Sequence, residues 1–178
     1  MKGSRVAKRY ARALLELAPD NKQLEGWASE LDRLAAMVSS PELAERLASP
    51  ELPEAARIEA MGKIAERLEL SFPLRSFAVV VARHRRIDDL TAMAEAYQAL
   101  VDEALGRARA TLTFARRPSD AEIQGVAQAL GAIVKKQIIP TVKVDATLLG
   151  GVVTELEGKI YDGSLATRLA EVQQRLSA

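Results

Sequence analysis

A single histidine, His84, stands among Arg83, Arg85 and Arg86 and is the first residue to test for proton transfer. A general base needs a carboxylate or hydroxyl partner within reach. His84 has arginines beside it instead, and such a basic run suits the negative end of a helix dipole better than catalysis. With one histidine, no cysteine and no D-x-D-x-D loop, only scattered carboxylates remain for a metal. Gly150-Gly151 and Gly158-Lys159 invite a phosphate-loop reading, but Lys159 is followed by Ile160 and the glycine spacing is wrong. Those glycines suit strand ends and turns. No catalytic residue, cofactor site or metal site is expected.

One basic pattern is more suggestive. Lys2, Arg5, Arg9 and Arg12 share one helical face, while Val6, Tyr10, Ala13 and Leu17 share another. Such a helix could lie on a membrane surface, or it could simply turn a solvated face outward from a bundle. Nucleic-acid binding would want clustered basic residues interleaved with aromatics, and aromatics are 4% of this chain. The net charge is +1, from 25 basic and 24 acidic residues, so no strong field is aimed at a polyanion.

The elements that must carry these residues fall into two grammars. Over residues 1–105 the spacing predicts helix after helix. Val6, Tyr10, Ala13, Leu14 and Leu17 form the first, stopped by Pro19-Asp20-Asn21. Leu24, Trp27, Leu31, Leu34 and Val38 form a narrow seam on the second. Ser40-Pro41 opens a short third helix, and Pro53-Glu54 a fourth bearing Ile58, Met61, Ile64 and Leu68. The fifth, Leu74 to Arg83, is apolar around its axis at Phe77, Val79, Val80 and Val81, so it should be a buried centre or line a partner groove. Asp88 and Asp89 fall in the first turn of a sixth, with Ile87, Leu90, Met93, Tyr97, Leu100 and Ala104 as its stripe.

After Gly106 the period changes to two. Ala108, Ala110, Leu112 and Phe114 alternate with polar residues in a half-buried strand. Ser119 to Glu122 is a capping box for a helix bearing Ile123, Val126, Leu130 and Ile133. Alternation returns at Thr141 to Asp145, Glu157-Gly158 reads as a hairpin turn, and Ser164 caps a last helix with Leu165, Leu169, Val172 and Leu176. The fold class expected is mainly α with a small α/β part: a six-helix bundle over 1–105, then an α/β module over 106–178. The hydrophobic share is 48%, enough for a core without staples. The longest apolar run, Phe77 to Ala82, is far short of the ~20 residues that span a bilayer.

Two segments carry a family resemblance. Val6-Ala7-Lys8-Arg9-Tyr10-Ala11-Arg12-Ala13-Leu14 resembles the opening helix of the ATP synthase delta subunit, or oligomycin-sensitivity-conferring protein, family. Val142 to Asp145, then Gly150-Gly151-Val152-Val153, then Asp162-Gly163-Ser164 and Arg168-Leu169 resemble its C-terminal signature. The turn at Glu157-Gly158 departs from the family pattern by placing its glycine one position later. The resemblance implies a non-catalytic stator connector. Its helical bundle would grip the N-termini of ATP synthase α subunits, and its C-terminal module would hold the ends of peripheral-stalk b subunits. No nucleic acid is implied, and the membrane would be reached only through the complex, at the cytoplasmic face of the bacterial inner membrane. The family's groove, mapped here, sets Val6, Tyr10, Ala13 and Leu14 facing Phe77, Val80 and Arg83. Phe77 and Leu14 could equally be plain bundle core. A small RNA-binding or ribosome-associated factor is the competing reading.

Overall fold

Asp20 begins the second helix by accepting a hydrogen bond at 2.7 Å from the Gln23 backbone N–H, which satisfies one of the donors a helix start leaves open. That cap separates α1 (Arg5–Leu17) from α2 (Asn21–Val38) in the computed structural model, which describes residues 5–18, 20–148, 150–156 and 158–163. There follow α3 (Pro41–Ala48), α4 (Glu54–Arg67), α5 (Phe72–Arg83) and α6 (Leu90–Ala104). Pro41 and Pro73 sit in the first turn of α3 and α5, where a missing N–H costs nothing. Ser40, expected to cap α3 with its side chain, instead turns its hydroxyl back to donate to the Met37 carbonyl.

Interior positions follow the helical period. On α2 the whole expected seam of Leu24, Trp27, Leu31, Leu34 and Val38 is buried. On α4 the buried line is Arg57, Met61 and Ala65, with Ile58, Ile64 and Leu68 half-buried at its margins. The β-branched run on α5 is helix, and it faces two ways: Leu74, Ala78, Val81 and Ala82 point inward while Val80 is exposed. Asp88 and Asp89 differ from expectation. They lie in a 3-10 turn, Ile87–Asp89, that precedes α6, with the Asp89 N–H bonded to the Arg86 carbonyl. On α6, Leu90, Met93, Ala94, Tyr97 and Val101 are buried, Leu100 is half-buried and Ala104 is exposed.

The remainder is a four-stranded sheet with one described helix. β1 (Arg107–Phe114) pairs in parallel with β2 (Gln137–Val144) and antiparallel with β3 (Val152–Leu156), which pairs antiparallel with β4 (Lys159–Asp162), giving the order β2-β1-β3-β4. The parallel pair is joined through α7 (Asp120–Val134), as a crossover requires. Its capping box is complete: Ser119 Oγ accepts from the Glu122 N–H, and the Glu122 carboxylate accepts from the Ser119 N–H at 2.8 Å. Ala108, Ala110, Leu112 and Phe114 share a core with Leu130, Ile138 and Leu156.

β2 begins four residues earlier than its alternation suggested. Pro140 masked that start, yet proline is tolerated because β2 is an edge strand. Its far end explains a second difference: Val142 and Val144 are exposed although they share the face of Leu112 and Phe114. Ile133 is also exposed, and Val134 packs on the core instead. The last helix expected, from Ser164, lies outside the described residues.

The chain divides into two compact units, Met1–Val101 and Asp102–Ala178. The end of α6 belongs with the second, where Asp102 accepts a hydrogen bond from Arg109 Nε at 2.6 Å. The fold is mainly helical with a small four-stranded sheet.

Candidate partner groove and the C-terminal signature

On α1, Ala7, Ala11 and Leu14 recur at helical spacing and point into the interior, each at 1% exposure or less. The neighbouring stripe is left open. Val6 and Tyr10 are half-buried, Ala13 is exposed, and Leu17 is 66% exposed. At ~100° per residue these four lie within about 60° of one another around the axis. On α5 the corresponding open stripe is half-buried Phe77 and exposed Val80, with Arg83 exposed at the helix end.

One contact ties the two stripes together. The rings of Tyr10 and Phe77 meet edge to face, with centroids 6.1 Å apart and planes at 81°. That geometry sets the positive edge of one ring against the face of the other. Both rings are half-buried; Val6 is half-buried and Ala13 and Leu17 are exposed on the same face of α1 as Tyr10, and Val80 is exposed one turn beyond Phe77 on α5. Ala13 contributes only a methyl group, which leaves room for a helix to approach. Arg5, Lys8, Arg9 and Arg12 are exposed and make no ion pair among the described residues. Arg9 sits about 40° around the axis from Ala13, so a basic edge runs beside the apolar stripe.

Of the seven groove residues expected, Val6, Tyr10, Ala13, Phe77, Val80 and Arg83 keep surface to offer. Leu14 does not. At 1% exposure it is bundle interior, because its direction on α1 falls with Ala7 and Ala11. The residue missing from that set is Leu17, whose signal was present in the sequence: it is four residues beyond Ala13 and seven beyond Tyr10.

The C-terminal signature gathers at the open ends of the strands. Asp145 begins the loop after β2 by accepting from the Thr147 hydroxyl at 2.6 Å and its N–H at 2.9 Å. Those two bonds hold its carboxyl below the usual range. Gly150 and Gly151 follow, both with positive φ, at 150° and 85°. Asp162 pairs in register with Val153, and the Gly163 N–H donates to the Val152 carbonyl at 3.0 Å. A Cβ at Gly163 would come within 3.1 Å of that same carbonyl, so any side chain there would need the strand to give by a few tenths of an ångström. Phe114, Val126, Leu148, Gly150, Gly151 and Gly163 are among the residues lining a concavity at this end of the sheet. Ser164 and Arg168 lie outside the described residues.

Among the described residues no group of three or more histidine, cysteine or carboxylate side chains could hold a metal. Tyr97, pushed up to about 12, is displaced by burial in the helical interior.

Known proteins can now be set beside this geometry. A family model described as ATP synthase delta (OSCP) subunit matches residues 6–176. The ATP synthase subunit delta of Syntrophobacter fumaroxidans is 33% identical over 177 residues, covering 99% of this chain and 97% of that one. That of Geobacter sp. strain M21 is 32% identical, covering 99% and 98%. A chain in a cryo-EM structure of the Toxoplasma gondii mitochondrial ATP synthase hexamer shares the fold with a TM-score of 0.66, at 19% identity, over 98% of this chain and 99% of that one. This chain belongs to the ATP synthase delta (OSCP) subunit family.

Proposed function

We propose that this chain acts as a non-catalytic stator connector of an F-type ATP synthase, its helices α1–α6 working as one bundle whose α1/α5 groove receives an amphipathic helix from the α-subunit N-termini. Residues 106–178 hold the ends of the peripheral-stalk b subunits. Together they resist rotor torque, so that rotation drives ATP synthesis instead of spinning the head. No helix among the described residues is long and apolar enough to cross a membrane. The chain reaches the cytoplasmic face of the bacterial inner membrane through the complex.

The observation that carries this reading is the open apolar stripe of Tyr10, Leu17, Phe77 and Val80, floored by a ring pair. A helix laid into such a groove buries apolar area at about 25 cal/mol per Å² before the cost of association is met. The basic edge at Arg5, Arg9 and Arg12 suits a partner helix with acidic residues on that side. The test is recovery of the catalytic head by the full chain. Wild type should retain head particles through a wash in moderate salt, and Val80→Asp should lose them while melting normally. Equal retention by both would remove the groove from the account.

A further inference from the structure

Helix α5 begins without a cap of its own. Ser71 stands at its N-cap position, yet the hydroxyl bonds to no backbone N–H of the helix. That hydroxyl is buried and has no partner among the described residues. Three places on, where a capping box carries Glu or Gln, stands Leu74, and the first turn holds no acid. What α5 lacks, α2 supplies. The half-buried Glu30 accepts a hydrogen bond from the Ser71 N–H at 2.7 Å. Helix α7 makes the same bond locally, from the Ser119 N–H to Glu122 at 2.8 Å. At α5 the carboxylate comes from another helix, and it sits where the helix dipole favours negative charge.

One turn along α2, Arg33 reaches the other side of the same connection. Its Nη1 donates at 3.3 Å to the carbonyl of Leu68, the residue that caps the end of α4. Between these two anchors Glu69 has a φ of 52°, and the Leu70 N–H closes back on the Ala65 carbonyl. Arg75, inside α5, donates from Nε to the Leu70 carbonyl at 2.6 Å. The turn from α4 into α5 is therefore tied to α2 twice: Arg33 holds the α4 side and Glu30 the α5 side.

Where α5 starts decides where its open face lies. Phe77 and Val80 follow Ser71 by about 9 and 14 Å along the axis, at ~1.5 Å per residue. A helix is stiff over so short a span, so a displacement at Ser71 carries to both. The Tyr10 and Phe77 centroids, 6.1 Å apart, already stand in the outer part of the range of about 4.5–7 Å for ring pairs, and a small slide of α5 would part them. We infer that the hydrogen bond between Ser71 and Glu30 positions the groove proposed for α1 and α5, on which this role rests. Glu30, on a third helix, sets α5 at the height where Phe77 meets Tyr10.

Glu30→Ala removes the acceptor, whereas Glu30→Gln keeps an oxygen for the same bond and removes only the charge. Each full-length chain is titrated with a peptide from the α-subunit N-terminus well below its melting temperature, so that only folded protein is compared. Ring signals of Tyr10 and Phe77 are recorded by NMR on the same chains without peptide. Glu30→Ala should bind about fivefold or more weakly than wild type, with both rings shifted. Glu30→Gln should bind within about twofold of wild type and leave the rings unmoved. A carboxylate that only stabilised the fold would lower the melting temperature of Glu30→Ala and change neither readout. Unmoved rings or wild-type affinity in Glu30→Ala, or a Glu30→Gln chain as weak as Glu30→Ala, would overturn the inference. A wild type that does not bind the peptide would instead remove the groove, and this role with it.

Discussion

The helical unit and the sheet unit bury their apolar residues by different means. In the first, helices face helices, and large side chains such as Leu14, Leu31, Leu34, Met61 and Tyr97 are at 1% exposure or less. In the second, one described helix lies on four strands, and the sheet leaves Val142, Val144 and Ile160 exposed. The difference teaches where partner surface comes from. The helical unit exposes a stripe because α1 and α5 each have an apolar arc wider than the interior can use. The sheet unit exposes edges because, among the described residues, β2 and β4 have a strand neighbour on one side only.

The largest effect should come from cutting into the helical interior. Leu14→Ala removes a fully buried side chain and should cost about 2–5 kcal/mol of stability, measured by urea unfolding. Val144→Ala at the sheet edge should stay within about 0.5 kcal/mol. Comparable losses from both would erase the contrast. The contrast also implies that a fragment of residues 1–105 melts cooperatively with a helical circular dichroism spectrum, whereas a molten fragment would make the helical unit dependent on the sheet.

A smaller effect belongs to α7. Ser119→Ala should cost about 1 kcal/mol by opening the capping box. The Glu122 carboxyl is held below its usual range by the Ser119 N–H and hydroxyl and by Arg116. A lowered pKa stabilises the fold above the unfolded value, and that contribution is lost as pH falls through the folded one. Acid titration of the melt should therefore flatten in Ser119→Ala relative to wild type. Tyr97 has the opposite sign. Its pKa is pushed from 10 to about 12 by burial, so its contribution is present below pH 10 and lost as pH rises toward 12. Tyr97→Phe should lessen alkaline destabilisation over that window, and an unchanged alkaline limb would place the phenol in water.

Much of this was legible in the residues. The seam on α2, the capping box and the alternation of β1 each follow one period with clear punctuation, and all stand as read. What misled was local ambiguity between equally good partners. Val79 to Val81 would also suit a strand, yet the helix read there stands, packed against α4 and α2. Ile133 and Val134 are adjacent apolar residues, and the helix turn decides which packs. Pro140 hid the start of β2 because edge position is a tertiary fact. Within the groove, a window of one residue separates buried Leu14 from exposed Ala13, and sequence period alone resolves such arcs poorly. The bond from Ser71 to Glu30 left no sequence signal, since its donor is a backbone N–H on another element.

The groove itself is tested most directly at Ala13. Ala13→Asp sets a carboxylate on the exposed stripe beside Tyr10, where water solvates it in the free chain and a docked helix would bury it unpaired. Calorimetric titration with a peptide from the α-subunit N-terminus should give one site per chain for wild type and at least a hundredfold weaker binding for Ala13→Asp. The melting temperature should move little. A variant that binds the peptide as tightly as wild type, or that unfolds, would contradict the claim that this open stripe is where the chain grips its partner.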